Sequence, residues 1–134
     1  MIYILDTNVI SAARRADRNP SVVEWLDRQA DTDLYLSVIT VGEIERGIVL
    51  QKQINPDFAA DLSRWLDRTV TIFADRILPL TAQDALVWGQ LSARIGHPGA
   101  DLMIAAQALT RDAHVVTRNV ADFEPTGARI LNPF

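Results

Sequence analysis

Four acidic places in this 134-residue chain sit where a merely solvated acid would not be put. Asp6 stops the apolar run in "MIYILDTNVI", Glu43 and Glu45 lie inside "VITVGEIERGIVL", and Asp101 opens "DLMIAAQAL". The fourth place is "TRNVADFE", which offers Asn119, Asp122 and Glu124. Each has an ordinary explanation. Asp6 could cap a helix by accepting a backbone N–H. Asp101, after the turn "HPGA", could be a first-turn acid that favours the helix dipole. Asn119 and Asp122 could close a turn through side-chain hydrogen bonds. Taken together they suggest a site. Carboxylates that converge repel one another, and buried ones are costly unless paired or metal-bound. A divalent cation relieves both costs. A chain with no cysteine and only two histidines favours an all-oxygen site for Mg²⁺ or Mn²⁺ over zinc. Such an ion lowers the pKa of a bound water and holds a phosphodiester for in-line attack.

Helical phase sharpens part of this pattern. At 100° per residue, Asp101 falls on the same arc as Ile104, Ala105 and Ala108, so an acid heads an apolar stripe. The glutamates are harder to separate. Glu45 lies nearer the Val41/Ile44/Ile48 stripe, whereas Glu43 points toward Ile39, Gly47 and Leu50. Apolar residues occur on both sides, so periodicity leans to Glu45 and leaves Glu43 open.

These acids must be positioned by the elements around them. Residues 2–5, 33–37, 76–80, 114–117 and 128–131 are short apolar runs and read as strands. Helices are expected from Thr7 to about Arg14, over 21–30 with Ser21 as N-cap, and over 38–53. Further helices are expected over 56–70 behind Pro56, over 81–96 capped by Thr81, and over 101–113, with 118–127 a loop. Alternating short strands and helices predict an α/β domain whose mainly parallel sheet is covered on both faces. Sites in such sheets form beyond the carboxyl ends of strands, which is where Asp6 and "TRN" fall.

The bulk properties bound the function classes. A hydrophobic share of 49% and a charged share of 22% are those of an ordinary globular chain of one domain, residues 1–134. Lack of cysteine excludes disulfides, zinc–thiolate sites and thiol nucleophiles. No run approaches the roughly 20 apolar residues of a membrane span, and Asp6 interrupts any signal-peptide core, so a soluble cytoplasmic protein is expected. The net charge of −4 argues against a general nucleic-acid coat. It leaves room for an enzyme whose acidic site has a basic rim. Arg14, Arg15 and Arg18 after the first helix, and Arg118 beside the proposed site, are candidate phosphate contacts; a solvated surface explains the first three equally well.

In order and spacing, "MIYILDTNVIS", "LSVITVGEIERGI", "GADLMIAAQAL" and "VVTRNVADFE" resemble the PIN-domain nucleases, and most closely the VapC-type ribonuclease toxins with their FitB-like relatives. The resemblance runs nearly end to end. It implies a three-layer α/β/α fold with a roughly five-stranded, mainly parallel sheet. It also implies an Mg²⁺- or Mn²⁺-dependent endoribonuclease, usually a homodimer, held inactive by a small VapB-like antitoxin. Carried over residue by residue, the family's acids fall on Asp6, Glu43, Asp101 and Asp122. Glu43 is selected because Ile44 and Gly47 follow it in the family's "E-[IL]-x-x-G" pattern, against the lean of the helical phase. Asn119 is a neutral alternative or supplement to Asp122, and Thr7, Asn8, Thr117 and Arg118 match positions that line such sites. Two other classes compete. A phosphatase or receiver-like domain also uses a strand-end Asp, but the haloacid-dehalogenase pattern wants a second Asp where Asn8 stands, and the receiver pattern wants an acidic pair and a late Lys that are missing. A non-catalytic binding module could keep the fold, although the matched acids are intact.

Overall fold

The short apolar runs become the strands of one sheet. The structure is a computed structural model that describes all 134 residues. Tyr3–Leu5 (β1), Leu34–Ser37 (β2), Ile77–Leu78 (β3), His114–Val116 (β4) and Arg129–Leu131 (β5) pair in the order β3-β2-β1-β4-β5. Every pairing is parallel. Parallel neighbours need long crossovers, and helices supply them. Between β1 and β2 run α1 (Thr7–Arg14) and α2 (Pro20–Asp27); between β2 and β3 run α3 (Val38–Lys52) and α4 (Pro56–Ile72). Between β3 and β4 run α5 (Ala82–Ile95) and α6 (Ala100–Arg111), and a short α7 (Val120–Phe123) precedes β5.

Strand alternation divides the core into two layers. Leu5 and Val116 face one cluster, with Val9 of α1, Val22 of α2, Ile48 of α3 and Leu66 of α4. Ile4 and Val115 face the other, with Leu91 of α5, Ile104 and Ala108 of α6, and Phe123 of α7. Both faces of the sheet are therefore covered, which is why its strands are apolar without interruption. No helix is long and apolar enough to cross a membrane.

The chain order steps outward from β1 to β2 and β3, then crosses back to β4 on the other side of β1. The gap between β1 and β4 is thus the point where the winding reverses, and open α/β sheets bind ligands at such points. The register sets Leu5 opposite Val116, so the next residues, Asp6 and Thr117, lie side by side just past the carboxyl ends.

Some expected boundaries shift for local reasons. α2 begins at Pro20, and not after a Ser21 cap, because Pro suits the first helical position. The preceding Asn19 looks backward: its Nδ2 donates to the carbonyls of Ala12 (3.3 Å) and Arg15 (3.1 Å) and closes the end of α1. The stretch 118–127 is not all loop; it holds α7 and a 3-10 turn, Glu124–Thr126. The third strand keeps only Ile77–Leu78 of the five residues expected. Pro79 has no N–H to continue the ladder.

Helix α6 is held by two buried polar contacts. The Gln107 side chain accepts from Ser37 Oγ at 2.5 Å and donates to the carbonyls of Leu78 (3.1 Å) and Pro79 (2.9 Å), which ties α6 to the ends of β2 and β3. Near its C-terminus, Arg111 donates to Asp84 Oδ1 at 2.9 Å and Thr110 Oγ donates to the same oxygen at 2.6 Å. Asp84 also closes the capping box of α5, accepting from the Thr81 N–H. With that half of the helix fixed, its first turn, carrying Asp101, projects toward the β1–β4 gap.

Candidate active site

Asp6 is 4% exposed and is the best-anchored acid of the group. Its backbone continues the sheet, donating to the Val116 carbonyl at 3.0 Å. Its Oδ1 accepts the Thr7 N–H at 2.9 Å, so Asp6 does cap α1. Its Oδ2 accepts from Thr117 Oγ at 2.8 Å and from Asn8 Nδ2 at 3.1 Å. Three of the roughly four acceptor positions of a carboxylate are thereby used, and the rotamer is fixed. Thr117, itself fully buried, donates once and accepts twice, from Asn8 Nδ2 (3.2 Å) and the Asn119 N–H (2.9 Å). Asn8 completes the ring by accepting the Arg118 N–H at 3.0 Å. Capping α1 leaves room for a second role: one carboxylate oxygen of Asp6 starts the helix and the other is tied to the end of β4.

Glu43 stands in the second turn of α3 and approaches from the β2 side. The Thr7 hydroxyl donates to its Oε1 at 3.3 Å. Although the residue as a whole is exposed, its carboxyl end leans back toward Thr7 and is partly dehydrated. That dehydration pushes its pKa above the usual 4.5, the Asp6 and Asp101 charges push the same way, and the Thr7 hydrogen bond opposes them. Asp101, half-buried in the first turn of α6, is raised above 3.8 first by burial, then by Asp6 and Asp122, with His97 opposing. Asp6, Glu43 and Asp101 therefore lie within one another's field, and Asp122, exposed on α7, touches that field through Asp101. Glu45 is exposed and bonds to none of them, and Glu124 opens the 3-10 turn beyond α7. Asn119 caps α7 through its backbone.

The donor chemistry fits a hard divalent cation. The oxygens that gather here belong to carboxylates whose charged forms are disfavoured by burial and by one another, with no Arg or Lys bonded among them. No three acidic or histidine side chains stand close enough together to grip one ion directly. That spacing suits Mg²⁺, which keeps several of its waters and takes only one or two carboxylates directly. A cavity adjoins the acids through Glu43, and a larger one lies next to it. The first, of about 300 Å³, is lined by Thr7, Glu43, Ile44, Gly47, Phe58 and Trp65 among others. The largest, about 470 Å³, lies beside it beneath Arg14 and Trp65 and contains none of the four acids.

Some contributors were invisible in the sequence. His97 accepts the Gly99 N–H at 3.2 Å, and its charge also reaches Asp101. Only the turn "HPGA" placed it near that acid. Thr40 is fully buried one helical turn before Glu43, with its hydroxyl unpaired. Its three-residue spacing from Glu43 is the signal that could have singled it out. Gln107 and Asp84 lie in stretches that read as plain helix, and only the fold brings their partners to them.

Comparison with known proteins agrees with this architecture. The family model of the PIN domain matches residues 3–125. Toxin FitB of Neisseria gonorrhoeae is 35% identical, with 99% of each chain covered. VapC ribonuclease Y4jK of Sinorhizobium fredii is 32% identical, covering 99% of this chain and 98% of the relative. The crystal structure of FitAcB from Neisseria gonorrhoeae superposes with a TM-score of 0.84 at 35% identity, over 98% of both chains. A parallel sheet wound 3-2-1-4-5, acids gathered where its winding reverses, and end-to-end likeness to these relatives have one reading: the chain belongs to the PIN-domain family.

Proposed function

We propose that this chain is a divalent-metal-dependent endoribonuclease that serves as the toxin of a toxin–antitoxin pair. The observation that carries the proposal is the convergence of Asp6, Glu43 and Asp101, from three separate elements, at the carboxyl ends of β1 and β4. The names of its relatives, a toxin and a VapC ribonuclease, support the activity and the role.

Asp6, Glu43 and Asp101 would hold Mg²⁺ or Mn²⁺, largely through water, with Asp122 and Asn119 completing the site at its edge. Bound there, the ion would offset the charge of the acids and of a phosphodiester and lower the pKa of a water. The protein's own groups prepare that chemistry. The Thr7 N–H, Thr117 and Asn8 lock Asp6 in one rotamer, and the Thr7 hydroxyl ties Glu43 to the start of α1. Arg118 leaves the site directly after Thr117 and meets the substrate. No imidazole is required as a base: His97 is turned onto Gly99, and the Nδ1 of His114 is buried and unpartnered beside Tyr3. Asn8 also counts against a phosphatase, since its amide nitrogen is committed to Asp6 and Thr117 and carries no acidic proton.

A VapB-like antitoxin would seat in the cleft beside Glu43. The cleft beside Glu43 is floored by Gly47, where a Cβ would meet nothing of the chain itself, and walled by Phe58 and Trp65. An inserted Arg or Lys from the partner would neutralise the acids by charge-assisted hydrogen bonds. The family also supports a homodimer, checked by sedimentation.

The deciding experiment is RNA cleavage by the purified protein with Mg²⁺ or Mn²⁺ and with EDTA, beside Asp6→Asn prepared identically. Cleavage that needs metal and disappears in the variant is expected. Equal cutting by both proteins would overturn the assignment of Asp6 and point to a contaminating nuclease.

A further inference from the structure

Next to the acids lies a second cleft of opposite character. Its volume is about 320 Å³, and its lining includes Asn8, Arg14, Arg15, Asn19, Arg118 and Phe134, with no acidic side chain. In a chain of net charge −4, three arginines lining one acid-free cleft are an exception to the average surface, with Arg14 shared between this cleft and the one beside Glu43. Four arginines are committed to carboxylates, Arg111 to Asp84, Arg64 to Asp61, Arg76 to Asp75 and Arg129 to Asp112, while Arg18, Arg28, Arg46, Arg68 and Arg94 are unpaired but do not line this cleft. Arg14, Arg15 and Arg118 form no ion pair with any carboxylate.

Two of the three are nevertheless held in place. The Arg118 guanidinium lies 4.1 Å from the centre of the Phe134 ring, which packs against the core. Arg14 lies 5.6 Å from the Phe58 ring and 5.9 Å from Trp65. An aromatic face orients a cation without neutralising it and without using its in-plane N–H donors. The helix dipole would favour Arg14 and Arg15 at the end of α1. It does not account for Arg118, which arrives from the end of β4.

Between Asp6 and this cleft Asn8 stands as a wall. Its amide nitrogen bonds Asp6 and Thr117, and its carbonyl oxygen holds the Arg118 backbone. A nucleic-acid strand whose scissile phosphate sits at the acids must present its neighbouring phosphates just beyond that wall. We propose that the Arg14/Arg15/Arg118 cleft is the track for the phosphates flanking the scissile bond of single-stranded RNA, with Phe134 positioning Arg118. The inference rests on the nuclease reading, which supplies the strand, but it is tested separately from it.

Binding is measured with a fluorescent single-stranded RNA on the cleavage-blocked Asp6→Asn protein over a salt series, and cleavage kinetics on the otherwise wild-type protein with Mg²⁺. Each single-strand phosphate contact adds about 0.7 to the slope of log affinity against log salt. The double variant R15Q/R118Q is expected to lower that slope by about 1.4 and to weaken low-salt binding on the order of tenfold, with the kinetic loss falling in KM more than in kcat. Phe134→Leu keeps every charge, so its slope should hold while affinity falls about two- to fivefold. A double variant with the wild-type salt slope and KM would overturn the track. The same result together with lost binding of an acidic peptide probe would reassign the cleft to a protein partner, and also overturn it. If neither the wild-type nor the Asp6→Asn protein cleaves RNA, the nuclease reading fails, and the salt slopes still decide the track.

Discussion

Replacing Asp84 by Asn should destabilise the protein in a way that pH reveals. Asp84 is wholly buried, and its partner Arg111 has 18% of its side chain exposed. Burial alone would raise the carboxyl pKa, but the hydrogen bonds from Arg111, Thr110 and Thr81 overcome it and bring it from 3.8 down to about 2. A folded-state pKa below the unfolded one gives stability that is fully present above about 4 and is lost as pH falls toward 2. The interval from 3.8 to about 2, at about 1.4 kcal/mol per pH unit, amounts to about 2.5 kcal/mol. That figure is an upper value. Asp84 is sealed by its neighbours but lies close beneath the surface, where water a few ångströms away still screens it. Screening could halve it.

The assay is urea unfolding of wild type and Asp84→Asn at pH 7, 5 and 3. Every other titrating group is common to both proteins and cancels in the difference. The gap should be about 1–2.5 kcal/mol at pH 7, nearly the same at pH 5, and about half as large at pH 3, because the carboxyl is then mostly protonated in the unfolded chain while it stays largely ionised in the folded one. RNA cleavage at neutral pH should survive below the shifted midpoint, since Gln107 still ties α6 to β2 and β3. A gap that stays constant between pH 7 and pH 3 would refute the argument, for it would mean that the charge of Asp84 contributes nothing.

The acids of the site should behave in the opposite sense. The pKa values of Glu43 and Asp101 are raised in the folded state, so ionising them costs stability that is regained as pH falls below about 4. Metal-free Asp101→Asn and Glu43→Gln are therefore expected to melt above wild type at pH 7 and alongside it in acid. Mg²⁺ should raise the wild-type melting temperature more than theirs, and a drop in melting temperature for both variants at pH 7 would contradict this. The two glutamates of α3 should separate in cleavage assays, with Glu43→Gln losing more than about tenfold and Glu45→Gln staying near wild type. An inactive Glu45→Gln would return the assignment to the helical phase. Gln107→Leu should cost roughly 1–3 kcal/mol in urea unfolding, because Ser37 and the carbonyls of Leu78 and Pro79 lose their partner. An unchanged midpoint would mean that water replaces it.

What was legible in the sequence followed from how far each signal reaches along the chain. The strands and main helices announce themselves within a dozen residues, and so did the strand-end position of Asp6. The choice between Glu43 and Glu45 was beyond periodicity. Ile44 and Ile48 face the core, but the Glu43 carboxylate points sideways along the sheet end toward Thr7, a direction set by a contact 36 residues away. Local pattern knows nothing of that contact, and only the family motif pointed to Glu43. The Asp84–Arg111 pair is 27 residues apart and the Ser37–Gln107 bond 70. In sequence each is a polar residue in an amphipathic helix. The turn of α7 was missed because four residues are too few to show a period. Asn19 was missed as a cap because it caps the helix behind it, while Pro20 starts the one ahead.

An acidic protein that acts on a polyanion must keep its charges apart in space. The sum of −4 hides a division made at a single side chain. On one side of Asn8, burial and then the overlapping fields of Asp6, Glu43 and Asp101 raise the pKa values of the last two, an unfavourable arrangement that a divalent cation would relieve. On the other side, the cleft is lined by three arginines, of which Arg14 also reaches the Glu43 cleft, and by no acidic side chain. Had Arg14 or Arg118 been anchored by carboxylates, as Arg111 is by Asp84, each would be fixed but largely neutralised. Aromatic anchoring fixes them and leaves the charge available. Asn8 can separate the two zones because it is uncharged and fully engaged, with two donor bonds toward the acids and one acceptor bond toward the arginine side. An Asp at that position would add a charge beside Asp6 and lose both donated bonds. Asn8→Asp should therefore damage cleavage and stability together, and Mg²⁺ would restore only the charge part of that loss.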